Sequence, residues 1–232
     1  MNINKEFSKN ANQYQKLNII QKKIIKRYAP IIDNNSILDL GCGNGSLLNF
    51  ITPKNYIGID FSKNMLKLHP HTNIYQFDFD TKECWEFIKQ QNFEILVSFS
   101  AIQWSKNLKQ LFQNIKNLNK PFLLTIFTSN TFKTLHQTAN IKSPIYSKTE
   151  ILENSKIFTN LETETLKYKL YFNNNLEMLR YIKKSGVSGG EKKLSIKQIK
   201  NLLNNYPLNY LEFEIVTLLA SNSTSFINLS TS

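Results

Sequence analysis

Five short runs constrain this chain most: SILDLG at 36–41, NYIGID at 55–60, NIYQFD at 73–78, FEILVSF at 93–99 and FLLTIFT at 122–128. Runs this continuously apolar mark parallel strands buried on both faces, because a half-exposed strand alternates apolar with polar residues instead. The intervening segments can supply the covering helices. SKNMLKLH (62–69), KECWEFIKQ (82–90) and NLKQLFQNIKNL (107–118) carry apolar residues at helical spacing, most clearly Leu108, Leu111, Phe112, Ile115 and Leu118. A further helix is predicted before the sheet, from about Ser8 to Tyr28, with Leu17, Ile20, Ile24 and Tyr28 on one side.

Beyond Thr128 the rhythm changes. A polar, helix-leaning stretch to about Asn160 precedes LKYKLYF (166–172), whose alternation predicts an edge or half-exposed strand. Helices NLEMLRYIKKSG (175–186) and SIKQIKNLLNNY (195–206) and a last strand, LEFEIVTLL (211–219), complete the pattern, and the Ser/Thr/Asn-rich segment 221–232 is expected to be loose. The fold expected is α/β, with one domain over residues 1–220 that includes an inserted cap at about 130–160. A chain of 232 residues with 41% hydrophobic residues suits one core better than two.

Charge and cysteine usage narrow the setting. Twenty-nine Lys and Arg against 17 Asp and Glu give a net charge of +12, which favours an acidic partner, although an Asn- and Lys-rich texture also follows from AT-rich codon usage. Cys42 and Cys84 have no metal-ligand spacing and make no disulfide framework, which points to a reducing, cytoplasmic setting. The N-terminal MNINKEFSKN lacks the apolar core of a signal peptide, and no run approaches a membrane span. No metal site is expected.

The most chemical stretch is ILDLGCGNGSLL (37–48), which places Gly41, Gly43 and Gly45 between the first strand and a predicted helix, where backbone can approach a ligand closely. The spacing is G-x-G-x-G, and Ser46 stands where a dinucleotide fingerprint needs its third glycine. With Asp39 just before it, the turn resembles the first motif of class I S-adenosylmethionine-dependent methyltransferases. In that reading the turn's backbone N–H groups hold the methionine carboxylate and Asp39 meets the ammonium. Asp60, at the end of the second strand, is placed to accept the ribose hydroxyls. By position Asp78, in FDFD, would meet the adenine amino group. Taken singly, Asp60 and Asp78 read more readily as capping or turn residues; it is the joint spacing that reverses this and makes a site.

Over almost its whole length the chain resembles the malonyl-acyl carrier protein O-methyltransferases of biotin synthesis, the BioC family. The resemblance rests on Phe7, Ala11, Tyr14 and Gln21 in FSKNANQYQKLNIIQ, on SAIQW (100–104) after the fourth strand, on TLHQT (134–138) and on LRYIKKSGV (179–187). It implies a Rossmann-like seven-stranded sheet whose last strand is antiparallel, S-adenosylmethionine as cofactor, and malonyl-loaded acyl carrier protein as partner. Glu94 stands where Asp is usual, Phe99 replaces a polar residue, and the turn before the fifth strand is reduced to LNKPF (118–122).

The implied reaction asks little of side-chain chemistry. A carboxylate is already an anion at neutral pH, so methyl transfer to it needs positioning and water exclusion but no general base. Tyr14, Gln103 and Trp104 are therefore candidates for walls around the reacting atoms, with Ser98 among the cofactor-binding residues. Arg180 is the first candidate to orient the acceptor carboxylate, with Lys183 and His136 behind it. Arg180 and Lys183 read otherwise as a solvated helix face, His136 as a core histidine and Trp104 as plain core. Basic clusters at 21–27, 182–184 and 191–193 would steer an acidic carrier. Other acceptors, nucleic acid included, and a non-catalytic cofactor-binding role are the alternatives. Against nucleic acid, SFSA (98–101) stands where amino-methylating enzymes of that kind carry an Asn/Asp-Pro-Pro-Tyr type tetrapeptide.

Overall fold

The computed structural model describes residues 18–185 and 194–220. Seven strands, β1 (Ser36–Leu40), β2 (Asn55–Asp60), β3 (Ile74–Gln76), β4 (Ile95–Phe99), β5 (Phe122–Phe127), β6 (Leu161–Tyr171) and β7 (Tyr210–Ala220), form one sheet in the order β3-β2-β1-β4-β5-β7-β6. β7 is antiparallel to both of its neighbours and the other strands share one direction. All five apolar runs are strands, and the predicted mixed sheet is the one observed.

Helices cover both faces of the sheet. On one side α1 (Ile19–Ile32) buries Ile20, Ile24, Tyr28 and Ile32, four residues apart, in a core that also takes Ile37, Val97, Met178 and Leu202. α1 continues past Tyr28 and carries Pro30 within its last turn, where the missing N–H leaves the Lys26 carbonyl without its i→i−4 partner. The predicted helix before Ile19, Tyr14 and the segment 221–232 lie outside the described residues. On the other side α3 (Lys82–Lys89) and α4 (Leu108–Asn117) seat Trp85, Ile88, Leu111 and Phe112 against Leu38, Leu40 and Leu96. β1 shows the alternation that divides the two cores: Ile37 faces the α1 side, while Leu38 and Leu40 face the other.

Three expectations need correction. The glycine turn opens only into a single 3-10 turn, Ser46–Asn49, and Pro53 close behind it biases Thr52 away from helix. After β2, α2 is short, Lys63–Leu66, capped by Ser62, whose hydroxyl accepts the Met65 N–H. β6 starts at Leu161, five residues before the predicted alternation, and pairs with β7 along eleven register positions. Its leading LETET (161–165) falls outside the predicted alternation, yet Glu164 is tied down by Arg27 at 2.7 Å and by the Tyr28 hydroxyl at 2.7 Å.

The segment between β5 and β6 holds α5 (Lys133–Thr138) and α6 (Lys148–Ser155). They serve different faces, with Leu135 in the α1-side core and Ile151 in the other. α7 (Asn175–Ser185) and α8 (Ile196–Asn205) complete the α1 side. Among the described residues, no helix is long and apolar enough to cross a membrane.

Candidate active site

The strand order reverses at β1, which pairs with β2 on one side and β4 on the other. In such sheets the crevice outside the strand ends is where ligands bind. A pocket lies there. Its floor comes from Asp39, Gly41, Cys42, Gly43 and Asn44, its apolar walls from Phe61, Met65, Phe79 and Phe99, and its rim from Ser100, Ala101 and Trp104, while Asn18, Gln21 and Ile25 of the α1 region close it.

The glycine turn is shaped differently from the open donor nest expected. Gly41 and Cys42 both donate to the Ile59 carbonyl, at 2.7 and 2.9 Å, Gly43 donates to Asp60 Oδ2 at 2.9 Å and Gly45 to the Cys42 carbonyl at 3.0 Å. Those four N–H groups are spent inside the chain: three meet the end of β2, which lies directly against the turn, and the fourth closes the turn on itself. The glycines also divide by task. A Cβ on Gly41 would lie 2.2 Å from the Ala101 Cβ, and one on Gly45 would lie 2.6 Å from Pro70 Cδ, so both are required by packing. Gly45 is absent from the pocket wall. Gly43 meets only the flexible end of Met65, at 3.4 Å, and so presents bare backbone to the pocket.

Two carboxylates line the site. Asp39 is buried, accepts the Tyr56 hydroxyl at 2.9 Å, and is pushed up to about 7 chiefly by burial. Asp60 accepts the Gly43 and Ser62 N–H groups, one on each oxygen, and burial raises it to about 6 against the pull of those two bonds. Asp60 thus clamps the glycine turn onto β2, and each oxygen keeps a second lone pair. Burial, then the charges of Asp39 and Asp60, hold the Cys42 thiol well above its ordinary value, so it is a packing residue and no nucleophile.

The remaining candidates separate into those that reach the pocket and those that do not. Trp104 lines it, on a 3-10 turn, Ile102–Trp104, that Asp80 tethers by accepting the Ser105 hydroxyl at 2.6 Å and the Lys106 N–H at 2.8 Å. Gln103 does not. Its amide folds back to donate to the Ser100 carbonyl at 2.6 Å, which braces Ser100 in the left-handed region at φ 62°. Ser98 is fully buried, and its hydroxyl donates to the Leu40 carbonyl at 2.6 Å, tying β4 to β1 instead of meeting a ligand. Asp78 lies outside the wall, accepts the Asp80 N–H at 2.9 Å and faces Lys106 at 3.6 Å, while its neighbour Phe79 enters the pocket.

None of the expected cations reaches the pocket. Met178, Tyr181 and Ile182 seat α7 on the core, which leaves Arg180 and Lys183 on its exposed face. His136 packs on α5 beside Phe132, and desolvation lowers its pKa. Glu94 accepts the Ser36 N–H at 2.7 Å near the start of β4, away from the pocket. Phe99 is in the wall.

Sequence reasoning missed Asn44 and Ser100. Both line the pocket, and Asn44 Nδ2 and Ser100 Oγ are buried without a hydrogen-bond partner among the described residues. Burying such atoms unpaired costs about 1–3 kcal/mol each, so a polar ligand is the natural partner. Position between two glycines was the available signal for Asn44. These groups fit S-adenosylmethionine: Asn44 can donate to its carboxylate, Asp39 can pair its ammonium, Asp60 can accept ribose hydroxyls, and Phe61, Met65 and Phe79 offer apolar faces to the base.

Comparison with known proteins agrees with that arrangement. A family model described as a methyltransferase domain matches residues 31–187, more than half of the chain. The malonyl-[acyl-carrier protein] O-methyltransferase of Calditerrivibrio nitroreducens is 26% identical over 223 residues, covering 90% of this chain and 87% of that protein. Its counterpart in Haemophilus influenzae is 25% identical over 222 residues, covering 88% and 84%. Among solved structures, the YcgJ protein of Bacillus subtilis superposes with a TM-score of 0.56 at 11% identity, covering 88% of this chain and 99% of that one. An S-adenosylmethionine-dependent methyltransferase of Archaeoglobus fulgidus gives 0.50 at 18% identity, covering 86% and 93%. The fold is that of the class I methyltransferases.

Proposed function

The chain belongs to the methyltransferase-domain family, and from that premise we propose that it methylates the free carboxylate of malonyl-acyl carrier protein, with S-adenosylmethionine as donor. The observation that carries the acceptor is the similarity to proteins of that name along nine-tenths of the chain. The resulting methyl ester would disguise the polar end of the malonyl group and prime chain elongation toward biotin. Two buried free cysteines accord with a cytoplasmic setting.

The pocket chemistry supports an acceptor that needs no deprotonation. Among the described residues its wall holds no histidine, lysine or arginine, and its two carboxylates are assigned to the cofactor's ammonium and ribose ends. An amine or hydroxyl acceptor asks for a general base, whereas a malonyl carboxylate is ionised at neutral pH. The bound cofactor supplies an electrophilic methyl group on a sulfonium. The chain's part is positioning: Asp39 and Asp60 fix the donor's polar ends, and Phe99, Ser100 and Trp104, at the end of β4, wall the approach to the methyl and exclude water. Tyr14 is proposed to complete that wall from the N-terminal segment. The charge of +12 suits an acidic carrier.

Isothermal titration with S-adenosylhomocysteine, followed by transfer of labelled methyl to malonyl-carrier, malonyl-CoA and RNA, tests the proposal. Transfer to the malonyl thioesters with none to RNA is expected. Binding without transfer to any of the three refutes the enzyme reading, and transfer to RNA alone refutes the acceptor.

A further inference from the structure

A line of hydrogen bonds leads away from Asp39. The Tyr56 hydroxyl donates to Asp39 Oδ2 at 2.9 Å, and the tyrosine oxygen lies 3.1 Å from His69 Nε2. The direction of that second bond is set by the backbone. The His71 N–H donates to His69 Nδ1 at 3.1 Å, so the neutral imidazole carries its proton on Nε2 and donates to the tyrosine oxygen. Proton donation thus runs one way, from His69 to Tyr56 to the pocket carboxylate.

The sheet makes room for this arrangement. In the register of β1 with β2, Ile37 stands opposite Tyr56 and Asp39 opposite Gly58. A Cβ on Gly58 would lie 3.0 Å from Tyr56 Cε1. With no side chain there, the Tyr56 ring reaches diagonally across the pair to Asp39. Behind the ring, His69 stacks at 5.4 Å between centroids and His71 packs at 5.2 Å. Asn73 Nδ2 donates to the Tyr56 carbonyl at 2.8 Å, pinning the loop to the strand. The same loop backs the glycine turn, since a Cβ on Gly45 would lie 2.8 Å from His69 Nε2.

We propose that Tyr56 and His69 are positioning residues that hold the Asp39 carboxylate, as the anion, toward the ammonium end of the cofactor. The inference rests on the cofactor assignment made above and names the groups that make Asp39 competent. Asp39 is a poor anion unaided: it is buried, Asp60 and Cys42 are its charged or titratable neighbours in the pocket floor, and no cation faces it among the described residues that line the pocket. Tyr56 supplies the hydrogen bond that opposes this, and His69 polarises the donor. His69 stays neutral through the physiological range, because burial lowers it to about 4.

Affinity for a ligand carrying the ammonium therefore falls as pH drops through the Asp39 ionisation near 7. The expected loss is about tenfold between roughly pH 8 and pH 6. Tyr56→Phe keeps the buried ring and removes one hydrogen bond to the anion. It is expected to move the midpoint of the profile upward by about one pH unit. His69→Phe keeps the stacking and gives a smaller shift in the same direction, whereas His69→Gln, with an amide N–H for Tyr56, stays near the parent. The measurement is calorimetric affinity across pH for S-adenosylhomocysteine and for 5′-methylthioadenosine, which lacks the amino-acid end. Thermal melting of each variant checks that the fold is retained.

A profile that shifts upward in Tyr56→Phe for S-adenosylhomocysteine alone supports the proposal. Wild-type binding whose pH dependence is the same for both ligands, or is unmoved in Tyr56→Phe, overturns it and leaves the cofactor assignment intact. Failure of the wild type to bind either ligand overturns the cofactor assignment itself. Equal weakening of both ligands without a shift in midpoint makes Tyr56 merely structural, and also refutes the inference.

Discussion

Gly41→Ala probes the contact on which the pocket is built. The new Cβ would start 2.2 Å from the Ala101 Cβ, where carbon atoms prefer roughly 3.5–4.0 Å. Ala101 carries Ser100 and Trp104 beside it in the pocket wall, so relief of the clash must deform the rim. Overpacking of this kind costs about 1–3 kcal/mol. Gly41 also sits at φ +81°, and a non-glycine residue in the left-handed region adds about 1–2 kcal/mol. The single variant should therefore lose roughly 2–5 kcal/mol of stability. Adding Ala101→Gly removes the clash but leaves the backbone strain, so the double variant should recover about 1–3 kcal/mol of that loss. Urea unfolding of the parent, both singles and the double variant measures the coupling. S-adenosylhomocysteine affinity, measured in parallel, should follow the same order. A coupling within about 0.5 kcal/mol of zero would refute the claim that the two strand ends meet through this pair.

Burial holds Asp39 at about 7 and Asp60 at about 6, above the ordinary 3.8. The unfolded chain loses these protons first, so from about pH 4 to about pH 7 it binds fewer protons than the native state, and ligand-free stability falls as pH rises. Thermal melts across that range should show the decline, and Asp39→Asn should flatten it; identical slopes for parent and variant would contradict the burial of that carboxylate. Asp60→Asn sets an amide N–H against the Gly43 or Ser62 N–H, which leaves a buried donor unpaired and costs about 1–3 kcal/mol; urea midpoints and cofactor affinity should both drop. Trp104→Ala removes part of the pocket rim and should raise the acceptor KM roughly tenfold, whereas exposed Arg180→Ala should leave kcat/KM within about twofold. The reverse ranking in steady-state kinetics would return the acceptor contact to α7.

The fold was legible in the chain because its central strands are buried on both faces, and burial on both faces writes a continuous apolar run that no local alternative imitates. The glycine turn was legible as well, since left-handed backbone leaves a residue-type signature. Asp39, Asp60 and Trp104 followed from their places relative to strand ends. Local pattern misled where an edge strand is polar, as in the leading residues of β6, and where a helix was expected after Gly45.

Neighbours across the sheet decided the rest. Which glycine faces a ligand and which is filled by Ala101 or Pro70 depends on contacts between strands and loops far apart in sequence. So does the capture of three of the turn's N–H groups, those of Gly41, Cys42 and Gly43, by the end of β2. Ser98 and Gln103 are polar residues beside a pocket, yet their hydrogen bonds go to backbone carbonyls within the chain. Tyr56 reads as an ordinary strand residue until the register sets Gly58 opposite Asp39 and opens the diagonal between them. The sequence determined which residue types stand at the strand ends; the tertiary structure decided which of their polar atoms are already satisfied, and a ligand is left with the unpaired atoms of Asn44 and Ser100 and the remaining lone pairs of Asp39 and Asp60.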